Sequence, residues 1–363
     1  MFKDFYGSKR VLVTGHTGFM GSWLCIWLTE LGAAVTGYSL DPPSHPNNFE
    51  ACGLAGHIDH RHGDVRDKHH LSAVFQEKKP QMVFHLAAQS LVRLSYEDPL
   101  GTFDTNAGGT ANVLEAARFA PDVRVIVNVT SDKCYENREW VWGYRENDPL
   151  GGHDAYSASK ACAEIVSSSY LKSFFTDAGV GAASVRVGNV IGGGDWGRDR
   201  LVPDCIRALS SGKTVRIRMP NAVRPWQHVL EPLSGYLWLG RRIWESPQQY
   251  SGPWNFGPGS GQGFTVGEVV ETLIGLWGRG AWKEEAAPER YHEAGTLRLC
   301  CDKAHACLGW RDLLPTAEAL AMTTDWYKTF YARPTAQNMI EVCRDQIRAY
   351  AEKAGRAGLP WAL

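Results

Sequence analysis

Val11-Leu12-Val13 is apolar at successive positions, so neither face of that segment is written for water, and a strand buried on both sides is expected. A glycine-rich turn follows. Then come Trp23, Leu24, Trp27, Leu28 and Leu31, whose spacings of three and four put them on one face of a helix, with Gly32 as its stop. Residues 34–38 predict a second strand, which runs out at Asp41 and Pro42-Pro43. Further buried strands are expected over 82–88, 125–129 and 183–187, and helices over 106–119 and 156–175. Strand and helix alternate and the strands are apolar throughout, which is the pattern of an α/β protein whose doubly wound parallel sheet is covered on both faces. From Gly188 onward the texture becomes turn-rich, with Gly192-Gly193-Gly194 and Gly257-Pro258-Gly259. We therefore expect a cofactor domain over 1–187 and a smaller, mixed substrate domain over 188–363, with a segment near 225–245 returning to the first.

Composition narrows the class. The chain has 363 residues, a prior for two domains at about 150 residues each. Its 38 basic and 39 acidic side chains leave a net charge of −1, too little asymmetry for a nucleic-acid-coating surface. No apolar run approaches the roughly 18 residues of a membrane helix, and the N-terminus has no signal-peptide core. The nine cysteines are odd in number and contain no C-x-x-C pair, which fits reduced thiols in the cytoplasm. The histidines at 57, 60, 62, 69 and 70 lack partner ligands at helical spacing, so no metal site is expected.

Between the first strand and first helix stands Gly15-His16-Thr17-Gly18-Phe19-Met20-Gly21, a G-x-x-G-x-x-G turn. Glycines there let a pyrophosphate approach the backbone, where the helix N-terminus favours negative charge. The backbone of Gly15, Thr17, Gly18, Phe19, Met20 and Gly21 is thus the expected cradle of a Rossmann-type dinucleotide site. Asp41, at the end of the next strand, can accept from the ribose hydroxyls and would repel a 2′-phosphate, so NAD rather than NADP is expected. Asp64 and Val65 follow the third strand and face the adenine, although Asp64 reads equally as a loop-capping residue. Tyr156 and Lys160 lie four apart on one helical face. An adjacent ammonium lowers a phenol's pKa, so this tyrosine can take a proton from a sugar hydroxyl, while the lysine also holds a nicotinamide ribose.

These features, together with Leu86-Ala87-Ala88 and Asn106, resemble the extended short-chain dehydrogenase/reductase superfamily. The stretches Thr130-Ser131-Asp132-Lys133-Cys134-Tyr135, 140–147, 188–196 and Arg224-Pro225-Trp226-Gln227-His228-Val229 are similar to the CDP-glucose 4,6-dehydratase family, over about 10–310. Ala155 stands where that family commonly has proline. The resemblance implies a lyase acting on CDP-glucose through an internal redox cycle. C4 of the hexose is oxidised, water leaves across C5–C6, and hydride returns to C6 with NAD unchanged. It also implies that Leu86, Ala87, Ala88 and Asn106 contact the cofactor, that Ser131 orients the O4 hydroxyl, and that Asp132 is the acid at C6.

Related dehydratases carry glutamate where this chain has Lys133. A lysine base at C5 needs its pKa brought down by desolvation in a closed site. The alternative is a charged Lys133 that only stabilises the enolate, with water or Asp132 moving the proton. Asn189, Arg200, Arg224 and Arg298 are implied as ligands of the sugar-nucleotide phosphates, for which arginine's planar fork is suited. The family also implies a homodimer formed through helices 106–119 and 156–175, with higher assemblies open.

Overall fold

The computed structural model describes residues 1–259, 263–285, 296–333 and 335–363. Its centre is a seven-stranded, all-parallel sheet: β1 (Arg10–Thr14), β2 (Ala34–Ser39), β3 (Asp59–His62), β4 (Met82–His85), β5 (Val125–Val129), β6 (Gly181–Arg186) and β7 (Gly252–Asn255). The spatial order is β7-β6-β5-β4-β1-β2-β3. Strand order reverses between β1 and β4, so their C-terminal ends open the crevice in which such sheets bind ligands.

Burial on both faces explains the unbroken apolar runs. Val11 and Val13 join the larger core on one side, while Leu12 between them joins the smaller core on the other. Phe84 and Val83 divide in the same way, as do Val127 and Ile126. Helices α1 (Phe19–Glu30), α2 (Lys68–Lys78), α3 (Gly109–Arg118) and α4 (Ala155–Tyr170) supply much of the cover. Further along come α5 (Leu201–Ser210), α6 (Leu230–Glu245), α7 (Val266–Trp277), α8 (Thr316–Tyr331) and α9 (Ala336–Arg356). Helix α6 lies against β5 and β6, and β7 pairs with β6, so residues 230–255 complete the sheet.

Two expected boundaries shift. The strand at 82–88 stops at His85, and 86–88 is loop. The helix expected from Asn106 begins earlier, with Asp98 capping Pro99–Phe103 and a wide turn over Asp104–Gly108 leading into α3. Six tryptophans are among the largest fully buried side chains, so much of this unusual tryptophan content is core. All nine cysteines are free, and no helix among the described residues is long and apolar enough to cross a membrane.

Candidate active site

Gly15 leaves β1 at φ +76°, and a Cβ there would lie 2.6 Å from the amide nitrogen of Ala87. Only glycine lets the two loops at the sheet's switch point approach this closely. Helix α1 starts at Phe19 behind an extended Gly18 that supplies no side-chain cap. The first N–H groups of α1 are therefore not taken by a capping side chain, as a pyrophosphate cradle requires. Thr17 fixes the loop to the end of β2, its hydroxyl 2.9 Å from Ser39 Oγ and donating to the Leu40 carbonyl at 3.0 Å. Met20 packs against the larger core, and Gly21 sits so close to the Gly15 carbonyl that no side chain fits. These features fit a bound dinucleotide.

Around the cradle the expected residues divide. The Asp41 side chain is 88% exposed just beyond β2, its carboxylate 3.7 Å from His62 Nε2. Asp64 is committed to Arg66, accepting from its backbone N–H at 2.9 Å and its guanidinium at 2.6 Å, so the loop-capping alternative describes it best. Val65 is buried against Gly109. Leu86, Ala87 and Ala88 are half-buried beside Gly15, and Thr14 Oγ1 accepts from the Ala87 N–H at 3.3 Å. Asn106 is fully engaged within the protein. It accepts from the Gln89 N–H at 2.8 Å and donates to the Gln89 carbonyl at 3.0 Å and to Ser159 Oγ at 2.9 Å. It shapes the loop after β4 and in this structure spends its amide on that task.

The reacting groups converge at the ends of β5 and β6. Asp154 caps α4, accepting from the Ser157 N–H at 2.9 Å and the Ser157 hydroxyl at 2.7 Å. Ala155 is then the first helical residue, the position that proline would occupy without loss of a hydrogen bond. Tyr156 is buried, its phenol near Ser131. Burial pushes that phenol up to about 12, with Ser131 pulling down less strongly. This corrects the expected direction: Lys160 Nζ is aimed at the Val129 carbonyl, 3.2 Å away, and desolvation is the larger influence on the tyrosine. Lys160 is itself pushed down to about 8 by burial, against the opposing charge of Glu164.

Ser131 caps the short turn Asp132–Cys134 and donates to Asp132 Oδ1 at 3.0 Å. The Asp132 N–H is tied to the Val187 carbonyl at 3.0 Å. Burial raises the Asp132 carboxyl above the ordinary carboxylate range, while Lys133, Ser131 and Arg224 pull it down. Gly188 makes room for it: a Cβ there would stand 2.5 Å from Asp132 Cγ. A buried carboxyl raised in this way is better suited to act as an acid than an ordinary carboxylate. Lys133 is different. Its side chain is exposed, yet near enough to Asp132 to act on that carboxyl.

On the substrate side, Asn189 has φ +47°, a left-handed conformation that asparagine tolerates better than most residues. It leads into the paired segments Val190–Ile191 and Gln227–His228, its carbonyl accepting from the Gln227 N–H at 3.2 Å. Arg200 is half-buried, held by Asp195 Oδ2 at 3.0 Å and Ser90 Oγ at 3.2 Å, and close enough to act on the Tyr156 phenol. Arg224 is half-buried and near enough to act on Asp132. Arg298 is exposed, and only its backbone engages this region, accepting from the Tyr144 N–H at 2.8 Å. Among the described residues, no group of three or more histidine, cysteine or acidic side chains is arranged for a metal ion.

Sequence reasoning missed Asp195, the partner of Arg200, and Glu164 with Arg186. Two signals were available: Glu164 falls four residues after Lys160, and Arg186 is a charge inside an otherwise buried strand, which demands a partner.

Comparison with known proteins follows the same outline. Residues 11–251 match the model of the NAD dependent epimerase/dehydratase family. The CDP-glucose 4,6-dehydratase of Salmonella typhimurium is 50% identical over 333 residues, covering 90% of this chain and 93% of that protein. A UDP-glucose 4-epimerase of Mycolicibacterium smegmatis is 27% identical over 88% of this chain and 98% of its own length. The solved UDP-glucose 4-epimerase of Thermus thermophilus in complex with NAD superposes with a TM-score of 0.75 at 26% identity, covering 88% of this chain and 98% of that one.

Proposed function

The chain belongs to the NAD dependent epimerase/dehydratase family, and from that premise we propose that it converts CDP-glucose to CDP-4-dehydro-6-deoxyglucose and water. NAD, when bound, supplies the redox chemistry, accepting hydride from C4 of the hexose and returning it to C6. Gly15, Thr17, Gly18, Phe19, Met20 and Gly21 would hold the pyrophosphate, Asp41 the adenosine ribose, Val65 and Leu86–Ala88 the adenine and the loop beside it, and Lys160 the nicotinamide ribose.

Ser131 orients the O4 hydroxyl and Tyr156, in its phenolate form, takes its proton as C4 is oxidised. The resulting ketone acidifies the hydrogen on C5, which leaves as a proton to a water in the site and is replaced by a proton at C5 once hydride has returned to C6. Asp132 then protonates the departing C6 hydroxyl, and water leaves. The raised pKa of Asp132 supports this role, because the acid must still carry its proton when the bond breaks. Lys133, exposed to solvent, is our candidate for holding the developing enolate. Asn189, Arg200 and Arg224 are our candidates for the phosphates. Arg298 needs to swing inward to join them.

One observation carries the reading: the whole-chain likeness to a CDP-glucose dehydratase is accompanied by a buried carboxyl, Asp132, beside the Tyr156–Ser131 pair. A 4-epimerase shares the cradle and the tyrosine but has no need of an acid aimed at C6. Purified protein incubated with CDP-glucose, dTDP-glucose, UDP-glucose and GDP-mannose separates these possibilities. The expected result is a 4-keto product, seen by its absorbance in alkali, from CDP-glucose in preference to the others. A 4-epimerised sugar without that absorbance overturns the reading.

We also infer a homodimer in the cytoplasm. Supporting the first, Leu100, Phe119, Ile165 and Phe174 are exposed on or near the outer helices α3 and α4, apolar side chains that a four-helix contact would cover. Supporting the second, the nine thiols are all unpaired.

A further inference from the structure

Glu164 is an interior carboxylate with no part in the chemistry above. It lies one helical turn beyond Lys160 on α4. One oxygen accepts from the Thr130 hydroxyl, and the other accepts from Ser184 Oγ at 2.6 Å and Arg186 Nη2 at 2.8 Å. Both charged side chains of the Glu164–Arg186 pair are only 3% exposed. Arg186 Nη1 donates in turn to Tyr135 Oη at 2.7 Å and to the Glu146 carbonyl at 3.0 Å, and the Tyr135 hydroxyl donates to Asn255 Oδ1 at 2.8 Å. One carboxylate therefore gathers the ends of β5, β6 and β7 and the turn bearing Ser131 and Asp132 against the helix bearing Tyr156 and Lys160.

Stability is a poor reason for such a pair, since burying two charges is often no better than burying two apolar groups of the same size. What a buried carboxylate does, and an apolar residue cannot, is maintain a field at a neighbouring cation. We propose that Glu164 is a positioning residue of the active site: the fixed negative charge that keeps Lys160 an ammonium, and the anchor that holds the Thr130–Asp132 turn in register with Tyr156. This rests on reading Tyr156 and Lys160 as the reacting pair.

The surroundings of Lys160 leave Glu164 as the source of that charge. On its own helix the other titratable neighbour is Tyr156, whose phenol is pushed up by burial. From the turn after β5 comes Cys134, whose thiol is pushed up by burial. From β4 comes His85, pushed down to about 3 by desolvation and held between Thr14 Oγ1 at 2.6 Å and Thr110 Oγ1 at 3.2 Å. Arg186 is paired with Glu164 and is not among the groups that act on Lys160.

The test is the titration of Lys160 in the NAD-loaded enzyme, followed by NMR of 13Cε-labelled lysine, with the resonance assigned by its loss in Lys160→Arg. Glu164→Gln is expected to lower the Lys160 midpoint by about one unit or more, as for loss of an adjacent opposite charge. The alkaline limb of kcat/KM moves down with it, and Glu164→Asp restores most of both. Because Glu164→Gln strands Arg186, the paired variant Glu164→Gln/Arg186→Met is measured alongside it. With its far-UV spectrum intact, it shows the same lowered midpoint. A Lys160 midpoint unchanged in a folded variant of either kind overturns the proposal. Failure of the wild type to act on CDP-glucose would instead strike the functional reading, and the titration would still judge Glu164.

Discussion

Replacing Gly188 by alanine is expected to disable the Asp132 step while leaving the rest of the protein in place. Gly188 has no left-handed backbone conformation, so alanine adds no torsional strain and the perturbation is one methyl group. That Cβ would overlap Asp132 Oδ2 and lie 2.5 Å from its Cγ, whereas ordinary carbon–carbon contact begins near about 3.5 Å. The carboxyl must therefore retreat by roughly 1 Å, a misplacement that in an active site costs about 100-fold in rate, or ~2.7 kcal/mol of barrier. The crowding itself costs about 1–3 kcal/mol of stability. Turnover is followed by the alkaline absorbance of the 4-keto product, NAD affinity by fluorescence titration, and folding by thermal melting. Gly188→Ala is expected to lose kcat with NAD affinity unchanged. In an Asp132→Asn background it is expected to cause little further loss, because the acid it displaces is already gone. A kcat within about threefold of wild type, or full additivity of the two substitutions, would refute the placement of Asp132 at the reacting carbon.

Three further outcomes are expected. Glu231 is buried beneath α9, accepting from the Leu313 and Leu314 N–H groups at 2.9 and 2.6 Å and from the Tyr350 hydroxyl at 2.7 Å, and desolvation pushes it up to about 7. A carboxyl raised in the folded state stabilises the fold fully below its unfolded value of about 4.5 and loses that contribution as pH rises through about 7. Urea unfolding should show Glu231→Gln gaining on wild type by about 2 kcal/mol between pH ~5 and ~8, and a pH-independent difference would contradict the burial argument. Lys133→Met, if the lysine only stabilises charge, still exchanges the C5 hydrogen of the 4-keto product with deuterium from solvent, though about 10–100-fold more slowly. Complete loss of exchange would return it to the role of base. Ile165→Glu, at an exposed position of α4, is expected to yield monomers by light scattering, and an unchanged dimer would move the interface elsewhere.

Legibility in the sequence followed where local pattern and tertiary environment coincide. The strand at Val125–Val129 was plain because every residue is buried and nearly all are apolar. Strand β3, Asp59-His60-Arg61-His62, was expected before Asp64 but without bounds, because as an edge strand with half of its residues exposed it carries no apolar signal. Strand β7 hides in Gly252-Pro253-Trp254-Asn255, where proline is tolerated only because the strand lies at the other edge. The cradle and the Tyr156–Lys160 pair could be read because glycine spacing and helical periodicity are local properties. The direction of the Tyr156 shift and the exposure of Lys133 could not, since both depend on how completely other segments close over them.

The proposed reaction requires hydrogen to move within one bound hexose. CDP-glucose tritiated at C4 is incubated with the NAD-loaded enzyme, and the 4-keto product is separated from water and coenzyme and degraded to locate the label. The prediction is tritium in the C6 methyl group. Tritium in the solvent, on free coenzyme or still at C4 would contradict it.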